Sequence, residues 1–507
     1  MNVPTPQQAA VIRHVATSRQ SLIIEAYAGA GKTTTLLEAV IGSHDPTTLI
    51  LAFNKRIQMD MDEKLSARRN TMADPAKYID VKTLHSLGYQ VLRHHWGRVN
   101  TDARATDSLV RLNFTGPAKW RYHATKIVKF CKDVHPRIHE EVPGKKSAVD
   151  RVKMVCYEQI SDMKLLEDPT AIQSIAETVV KTMIASLQRR STIDFVDMVW
   201  VPIVLGMAPP GRYMRVIVDE AQDMNLAQFE LVERLIAPGG GLVVCGDLRQ
   251  GLYNFRGADG HAIWQAMRDK HKAVTLPLTV SFRCAQLIVT QANALVPEIE
   301  AMEGAPAGIV DEIQDVDILK HVKPGDFILS RTNADLVTIA VDIWLKGARP
   351  VIEGGQELMQ PLLQIMEKVS TTSPQAFQNS LNVWYKEASK KGNQADSDDW
   401  SERIADWYAL LSNVGTRVGP TRVIAVLESI FGGRRNAALI GEFPDLEAAL
   451  SLSTVHKAKG LEANRVFLLR ESFARHQDRA DQRKKRDRLR QVRWLAITEC
   501  AHGAHIG

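Results

Sequence analysis

The first 92 residues alternate short apolar runs with helical patterns, as the chain of an α/β domain does. The β-branched run at 21–24 predicts a strand, and the segment 34–40 that follows it predicts a helix. Further strand patterns occur at 49–53, 215–218, 241–245, 327–330 and 465–469. Clusters rich in Pro and Gly at 207–211 and 238–241 predict turns at the edges of two of these strands.

Two mostly helical stretches interrupt the strand patterns, one at about 93–190 and one at about 355–447. The first carries more basic than acidic residues, which is as typical of a solvated helical face as of a nucleic-acid surface. The basic run at 483–493 leaves the same two interpretations open. The polar segment 390–399 predicts an exposed loop.

The overall composition excludes several classes of protein. The length of 507 residues suggests three or four domains of ~150 residues, and the net charge of +6 permits a nucleic-acid partner without implying one. The five cysteines form no CxxC pair, which argues against a zinc site or a disulfide framework and favours a reducing compartment. The N-terminus lacks a signal-peptide pattern, and no apolar run is long enough to span a bilayer. We therefore expect no membrane partner and a cytoplasmic protein, nucleoid-associated if its source is bacterial or phage.

The segment 26–33, Ala-Tyr-Ala-Gly-Ala-Gly-Lys-Thr, lies between the first predicted strand and the first predicted helix after it. Small residues in such a loop let backbone N–H groups surround a phosphate, and the helix N-terminus adds positive potential. We expect Lys32 to contact the β- and γ-phosphates and Thr33 to bind Mg²⁺. The predicted phosphate-binding loop comprises Ala28, Gly29, Ala30, Gly31, Lys32, Thr33 and Thr34. A glycine-rich turn without a ligand is the alternative, and the joint presence of both glycines, the lysine and the threonine disfavours it.

A second candidate site lies where the strand pattern at 215–218 ends in two carboxylates, Asp219 and Glu220. A P-loop enzyme needs an Asp at such a strand end to bind Mg²⁺, and we expect the adjacent Glu to polarise the attacking water. Acidic residues are also common at helix N-termini. The continuation Asp-Glu-Ala-Gln-Asp at 219–223 favours the catalytic interpretation.

The sequence Asp-Glu-Ala-Gln-Asp resembles the signature of the UvrD/Rep-like branch of superfamily 1 DNA helicases, superfamily 1A. Other segments resemble the motifs of that family, in the expected order and over nearly the whole chain, at 5–8, 51–55 with Met61, 83–86, 244–250 with 252–257, 281–283 with 292–293, 331–333 and 454–462. The Phe-Asn-Lys form at 53–55 is shared with F-box DNA helicases and phage helicases, so the chain resembles a compact member of that kind.

The resemblance implies an α/β fold with two RecA-like P-loop motor domains and helical inserted subdomains. The expected domains are a first, ATP-binding motor domain at 1–92 and 191–277, a helical insertion at 93–190, a second motor domain with a short C-terminus at 278–350 and 448–507, and a small helical insertion at 351–447. The small size of the last insertion implies a reduced accessory subdomain and weak unwinding.

The resemblance also implies that the cofactors are ATP and Mg²⁺. Gln8 would hydrogen-bond the edge of the adenine, with Gln7 as the alternative, and Phe282 would stack on the base. Glu462 would hold the ribose hydroxyls, and Arg331 would join the nucleotide contacts.

The catalytic residues that the resemblance implies are Lys32, Asp219, Glu220, Gln250 and Arg283. Gln250 would sense the γ-phosphate, and Arg283 would stabilise the charge that develops in phosphoryl transfer. The implied Mg²⁺ ligands are Thr33 and Asp219.

A face that binds single-stranded DNA is implied as well. Aromatic side chains on such a face stack on successive bases without sequence preference. The expected DNA-binding residues are Phe53, Asn54, His85, Tyr253, Phe255, Arg256, His456 and Lys459. Taken one at a time, aromatic residues of this kind are more often core residues, and it is the order of the motifs that favours the DNA face.

The final family motif departs from its usual form. At 495–501 the chain has Glu499 where the family has an arginine that contacts the γ-phosphate, and the sequence ends at Gly507 soon afterwards. A carboxylate near a triphosphate is repulsive, so we expect slower hydrolysis unless Arg490 or Arg493 substitutes.

Three functions are consistent with these residues. The first is an ATP-dependent translocase and helicase that acts on single-stranded DNA and duplex junctions and moves 3′ to 5′, as the family does. The second is an ATP-gated DNA-binding module with weak or no hydrolysis that recruits a protein partner, such as a nuclease or a replication or recombination factor; Glu499 favours it. The third, a P-loop ATPase that acts on RNA or protein, is disfavoured by the aromatic residues and by the acidic motif.

Overall fold

The structure, a computed structural model, divides into two compact units, one of residues 1–27 and 31–278 and one of residues 28–30 and 279–507. The residues that it describes are 3–160, 163–251, 257–311, 313, 317–323, 325–331, 333–347, 350–369, 371–394, 398–431, 450–458, 463–469 and 501–506.

The first unit is built on a parallel sheet with helices before and after its strands. The strands are β1 Leu22–Ala26, β2 Thr47–Ala52, β3 Tyr78–Thr83, β4 Asn100–Thr101, β5 Thr192–Ile193, β6 Tyr213–Val218, β7 Ile236–Gly246 and β8 Val274–Leu278. The helices are α1 Pro6–Thr17, α2 Lys32–Gly42, α3 Lys55–Ala67, α4 Leu84–Trp96, α5 Ala105–Asn113, α6 Arg121–Val134, α7 Ala148–Gln159, α8 Met163–Leu166, α9 Pro169–Gln188, α10 Phe195–Val204, α11 Leu226–Arg234 and α12 Gly260–Asp269.

The strand order in the main sheet of this unit is β3-β2-β6-β7-β1-β8, and the pairings between neighbours are parallel. Residues 22–24 of β1 are fully buried, because a parallel sheet is covered by helices on both faces. The carboxyl ends of β1, β2, β6 and β7 therefore meet at one edge of the sheet. This is the edge at which open α/β sheets bind ligands.

Helices α5 to α9, in the predicted helical insertion, share one apolar core with residues of α4 and α10. The fully buried Lys132 on α6 fixes this region to α10, because its Nζ lies 2.7 Å from Asp197 Oδ1. The same ammonium donates to Thr106 Oγ1 and Ser186 Oγ, each at 3.0 Å. A buried charge needs such complete pairing to be tolerated, so α6 is held firmly beside the sheet.

The second unit contains another parallel sheet, of order β11-β16-β15-β12-β14-β13. The strands of this unit are β9 Val280–Ser281, β10 Glu300–Ala301, β11 Ile309–Val310, β12 Phe327–Ser330, β13 Pro350–Ile352, β14 Leu450–Thr454, β15 Ala463–Leu468 and β16 Ala501–Ile506. The helices are α13 Gln286–Asn293, α14 Ile318–His321, α15 Asn333–Leu345, α16 Gln356–Val369, α17 Pro374–Gln394, α18 Asp398–Val418, α19 Val423–Phe431 and α20 Val455–Ala458. Helices α15 to α19 pack together with β12–β14 in one apolar core.

The predicted α/β fold is confirmed, and so are the strands predicted from the apolar runs. The predicted turn at 238–241 is wrong in its placement, because β7 begins before it, at Ile236. The pairing of β7 with β6 passes from Ile236 directly to Gly241, so the intervening residues form a bulge in the ladder. The polar segment 390–399 lies partly in α17 and α18, with 395–397 outside the described residues. The domain boundaries stay predictions.

Lys77 caps the C-terminal end of α2. Its side chain is 2% exposed, and Nζ donates to the carbonyl oxygens of Val40 and Ser43, the latter at 2.8 Å. The last carbonyls of a helix lack partners within the helix, and a cation there is favoured by the helix dipole. Burial lowers the pKa of Lys77, with Asp74 and Asp45 acting in the opposite direction.

We predict that Lys77→Met lowers the free energy of unfolding by roughly 2 kcal/mol, because the buried carbonyls lose a charged donor. The measurement is chemical denaturation, with the exposed Lys64→Met on α3 as the control, which should change stability by less than about 1 kcal/mol. Equal stability of the two variants would contradict the capping role.

Candidate functional site

The predicted phosphate-binding loop joins β1 to α2. Gly29 and Gly31 have φ of 70° and 72°, in the left-handed region that glycine adopts without strain. Ala28 and Ala30 are buried, and Thr35 Oγ1 donates to Gly31 O at 2.9 Å. Lys32 is the first residue of α2, and Thr33 the second.

Lys32 forms an ion pair with Glu220, with 2.9 Å between Nζ and Oε1. Both side chains are mostly buried, at 11% and 14% exposure. Glu220 has a φ of 55°, a conformation that costs free energy for a non-glycine residue and is found most often at functional sites. The structure thus brings together the two predicted catalytic residues that come from loops 188 positions apart in the chain.

Gln222 connects the acidic motif to the end of β7. Its Nε2 donates to Glu220 Oε2 at 2.5 Å, and its Oε1 accepts from the backbone N–H of Asp247 at 3.2 Å. A Cβ on Gly246 would lie 2.0 Å from that oxygen, which explains the glycine in Gly-Asp at 246–247. The orientation of the Glu220 carboxylate therefore depends on the loop that follows β7.

Gln250 lies in that same loop and is fully buried. Neither its Oε1 nor its Nε2 has a hydrogen-bond partner among the residues that the structure describes. Leaving a buried amide unpaired costs about 1–3 kcal/mol, so a ligand that pairs with it would recover this free energy.

Asp219 follows β6 directly, and its backbone N–H donates to Leu51 O at 3.1 Å. Its carboxylate is 5% exposed. The hydroxyl of Thr33 and the carboxylate of Asp219 are oxygen donors, the type that Mg²⁺ prefers. The donor chemistry therefore fits the predicted cation.

Residues of the second unit surround Gly29, which belongs to that unit. The backbone N–H of Phe282 donates to Gly29 O at 2.9 Å. A Cβ on Gly29 would lie 2.6 Å from the Cβ of Arg283 and 2.7 Å from Ser281 Oγ, so only glycine fits. The predicted adenine and γ-phosphate residues thus adjoin Gly29 within this unit. Arg331 follows β12.

The structure gives Gln8 a role in a helix cap. Thr5 precedes α1 and Gln8 is its third residue; Gln8 Oε1 accepts from the N–H of Thr5 at 3.0 Å, and Thr5 Oγ1 accepts from the N–H of Gln8 at 3.2 Å. This is a capping box. Its side-chain oxygen is therefore engaged, whereas Gln7 lies outside the box.

Three of the predicted DNA-binding residues lie at the carboxyl ends of β2 and β3, and the backbone of a fourth, His456, lies in α20. Phe53 follows β2 and is 43% exposed, which separates it from the core aromatics. Asn54 caps α3, accepting from Ile57 N–H at 2.9 Å. His85 lies in the first turn of α4, where burial lowers its pKa. Met61, in contrast, is a core residue of α3.

A large cavity of about 810 Å³ opens beside Phe53, His85, Asp219 and Glu220. Its other wall comes from α6 in the helical insertion, through His123, Lys126, Lys129, Phe130 and Asp133. The sequence pattern did not assign these residues to a site, because they fall on a face of α6 that only the folded chain brings to the sheet edge.

Phe195 was also missed. It is the first residue of α10, is 60% exposed, and meets the ring of His85 edge-on, with 6.0 Å between ring centroids. The signal available in the sequence was an aromatic residue directly after an aspartate, Asp194, of the kind that caps a helix.

Several predicted residues lie outside the described part of the chain. These are Tyr253, Phe255, Arg256, Lys459, Glu462, Arg490, Arg493 and Glu499, together with the side chain of His456. Their assignments stay predictions. Among the described helices, none combines the length and apolarity needed to cross a membrane.

Asp133 connects the insertion to the acidic motif. Its Oδ1 accepts from Asn225 Nδ2 at 2.8 Å, and Asn225 caps α11 just after that motif. Burial raises the pKa of Asp133 from 3.8 to about 7; the Asn225 hydrogen bond lowers it, Asp194 raises it and Lys132 lowers it. The pKa of Asp133 is higher in the folded than in the unfolded state. Its protonation therefore contributes fully to the free energy of unfolding below pH 3.8, and this contribution is lost as the pH rises through about 7.

Asp133→Asn keeps the shape of the side chain and its hydrogen-bond acceptor. We predict that the free energy of unfolding of this variant, relative to the wild type, increases by on the order of 2 kcal/mol from about pH 5 to about pH 8. Chemical denaturation at both pH values measures this. The exposed Asp62→Asn should show no such gain. A pH-independent difference for Asp133→Asn would contradict the buried, proton-binding carboxyl.

The chain is similar in sequence to proteins of a known family. The family model of the UvrD/REP helicase N-terminal domain matches residues 5–271. The chain is 26% identical over 423 residues to the ATP-dependent DNA helicase PcrA of Staphylococcus aureus, covering 73% of this chain and 54% of that protein. It is 25% identical over 414 residues to the PcrA of Leuconostoc citreum, covering 73% and 53%. The chain thus spans about half the length of these curated relatives. From the matched domain and the site within it, the chain belongs to the UvrD/REP helicase family.

Proposed function

We propose that this protein couples ATP hydrolysis to movement along single-stranded DNA and to the unwinding of duplex junctions. The observation that carries the proposal is the Lys32–Glu220 ion pair at the carboxyl edge of the sheet, next to Asp219. The names of the relatives, both ATP-dependent DNA helicases, support it. The direction 3′ to 5′ follows from the family resemblance.

The ion pair suggests how ATP prepares the site. A triphosphate at the loop offers Lys32 a more highly charged partner than Glu220, so the lysine moves its contact to the β- and γ-phosphates. The carboxylate of Glu220 is then free to accept a proton from the attacking water. Thr33 and Asp219 would hold Mg²⁺, which neutralises charge on the phosphates when bound.

The remaining nucleotide contacts come from side chains around the loop. We propose that Phe282 stacks on the adenine and that Arg283 and Arg331 contact phosphate, with Glu462 on the ribose. The unpaired amide of Gln250 would sense the γ-phosphate, and its position in the loop after β7 lets it pass the signal to residues 252–256.

On the DNA side we propose that the strand stacks on the exposed rings of Phe53 and Phe195, the latter edge-on to His85. Stacking of this kind contributes roughly 1–3 kcal/mol per base and tolerates any sequence. Tyr253 and Phe255 would extend this face, and Arg256, His456 and Lys459 would contact the strand or neighbouring motifs. We also propose a role in DNA repair or replication and a protein partner.

We predict that Lys32→Ala abolishes ATP hydrolysis stimulated by single-stranded DNA, because the phosphates lose their cation. Steady-state phosphate release with and without oligonucleotide measures this. The control is Lys181→Ala, which removes an exposed lysine on α9, and it should keep wild-type turnover. Undiminished turnover in Lys32→Ala would overturn the proposed function.

We also predict that Gln8 stabilises α1 and that Gln7 contacts the adenine. Gln8→Ala should lower the free energy of unfolding by about 1 kcal/mol, because it breaks the capping box. Gln7→Ala should instead raise the KM for ATP and reduce the preference for ATP over GTP, with stability little changed. If Gln8→Ala alone abolished the preference for ATP, Gln8 would be the adenine reader.

A further inference from the structure

A second concave surface lies next to the proposed DNA face, with a volume of about 580 Å³. We call it the basic pocket. Its cationic lining comes from Lys55 in the first turn of α3, Lys82 on β3, and Arg93 near the end of α4. No carboxylate belongs to its described lining, which is otherwise polar or apolar.

Hydrogen bonds hold two of these cations in place. Lys55 Nζ donates to Gln58 Oε1 at 3.1 Å, and Gln58 Nε2 donates to Val81 O at 2.8 Å. Lys82 Nζ donates to Gln90 Oε1 at 2.9 Å and lies 3.0 Å from Asp80 Oδ2. An ammonium group has three donors, so each lysine keeps donors for a ligand.

Asp80 is not part of the pocket lining, but its carboxylate pairs with Lys82 and compensates that charge. The same carboxylate accepts hydrogen bonds from the hydroxyls of Tyr78 and Tyr213. Arg93 is exposed and has no ion-pair partner among the described residues. Among the described residues no carboxylate pairs with Lys55 either, so the pocket keeps the positive charges of Lys55 and Arg93.

Helix polarity explains only part of this charge. A basic residue in the last turn of a helix is favoured by the helix dipole, and this accounts for Arg93 on α4. Lys55 is the first residue of α3, where the dipole disfavours a cation. Lys82 lies on a strand and gains nothing from either dipole. Their convergence is explained if the pocket binds an anion.

The pocket continues the proposed path of the DNA. Phe53 lines the large cavity and Lys55, two residues later, lines the basic pocket. In the same way His85 lines the cavity and the adjacent Ser86 lines the pocket. A strand stacked on Phe53 would thus bring its next phosphates to Lys55, Lys82 and Arg93.

We propose that the basic pocket binds the phosphodiester backbone of the DNA strand where it leaves the aromatic face. This inference rests on the proposed function, because it requires a strand on Phe53. Its contacts are to phosphate, so they add affinity and register without sequence preference.

The test compares two fluorescent oligothymidylates. One of about 6 nucleotides fits on the aromatic face alone, and one of about 20 nucleotides extends beyond it into the basic pocket. Binding is titrated at several salt concentrations with the full chain, Arg93→Gln, and the double variant Arg93→Gln/Lys82→Gln. Lys64→Gln, on α3 but outside the pocket, is the matched control.

For the longer oligonucleotide we expect several-fold weaker binding by Arg93→Gln and a larger loss for the double variant. The slope of log affinity against log salt should fall by roughly 0.7 for each phosphate contact removed. The short oligonucleotide and the control should bind as in the wild type. If the wild-type protein binds DNA and all variants have its affinity and salt slope, the basic pocket does not bind DNA, but the proposed function still stands. If the wild-type protein binds no DNA, both the inference and the proposed function are overturned.

Discussion

The ion pair between Lys32 and Glu220 is the interaction on which the rest of the site depends. It exists because β1 and β6 are parallel strands of one sheet, so the loops after them emerge at the same edge. A mostly buried pair of charges is stable only when both partners are present. The charges of Lys32 and Glu220 compensate each other, and we propose that a triphosphate competes with Glu220 for the lysine. This competition links nucleotide binding to the freedom of the proposed catalytic carboxylate.

Contacts around this pair extend it toward the proposed DNA face. Gln222 joins Glu220 to the loop after β7, and Asn225 joins the acidic motif to Asp133 of the helical insertion. The end of α6 also approaches the loop after β7, because a Cβ on Gly257 would lie 2.3 Å from a methyl of Val134. The buried pair of Lys132 and Asp197 keeps α6 in this position. We propose that these contacts transmit a shift of Glu220 to both walls of the large cavity.

The sequence predicted what depends on local pattern. The strands, the phosphate-binding loop and the acidic motif each follow from runs of a few residues, and the structure has them in place. The wall of the large cavity and the ring of Phe195 were missed because they depend on contacts between residues far apart in the chain. The bulge in β7 was missed because a Pro-Gly cluster predicts a turn equally well. For Gln8, the sequence could not separate a ligand contact from a helix cap, since both use the same amide.

The central claim is that the nucleotide site and the DNA face act together. The measurement that tests it most directly is steady-state ATP turnover by the wild-type chain at increasing concentrations of single-stranded DNA. We predict low turnover without DNA and a many-fold, saturable increase with it, because we propose that a bound strand acts through the loop after β7 on Gln250 and Glu220. Turnover that is the same at every DNA concentration, at saturating ATP and Mg²⁺, would contradict it.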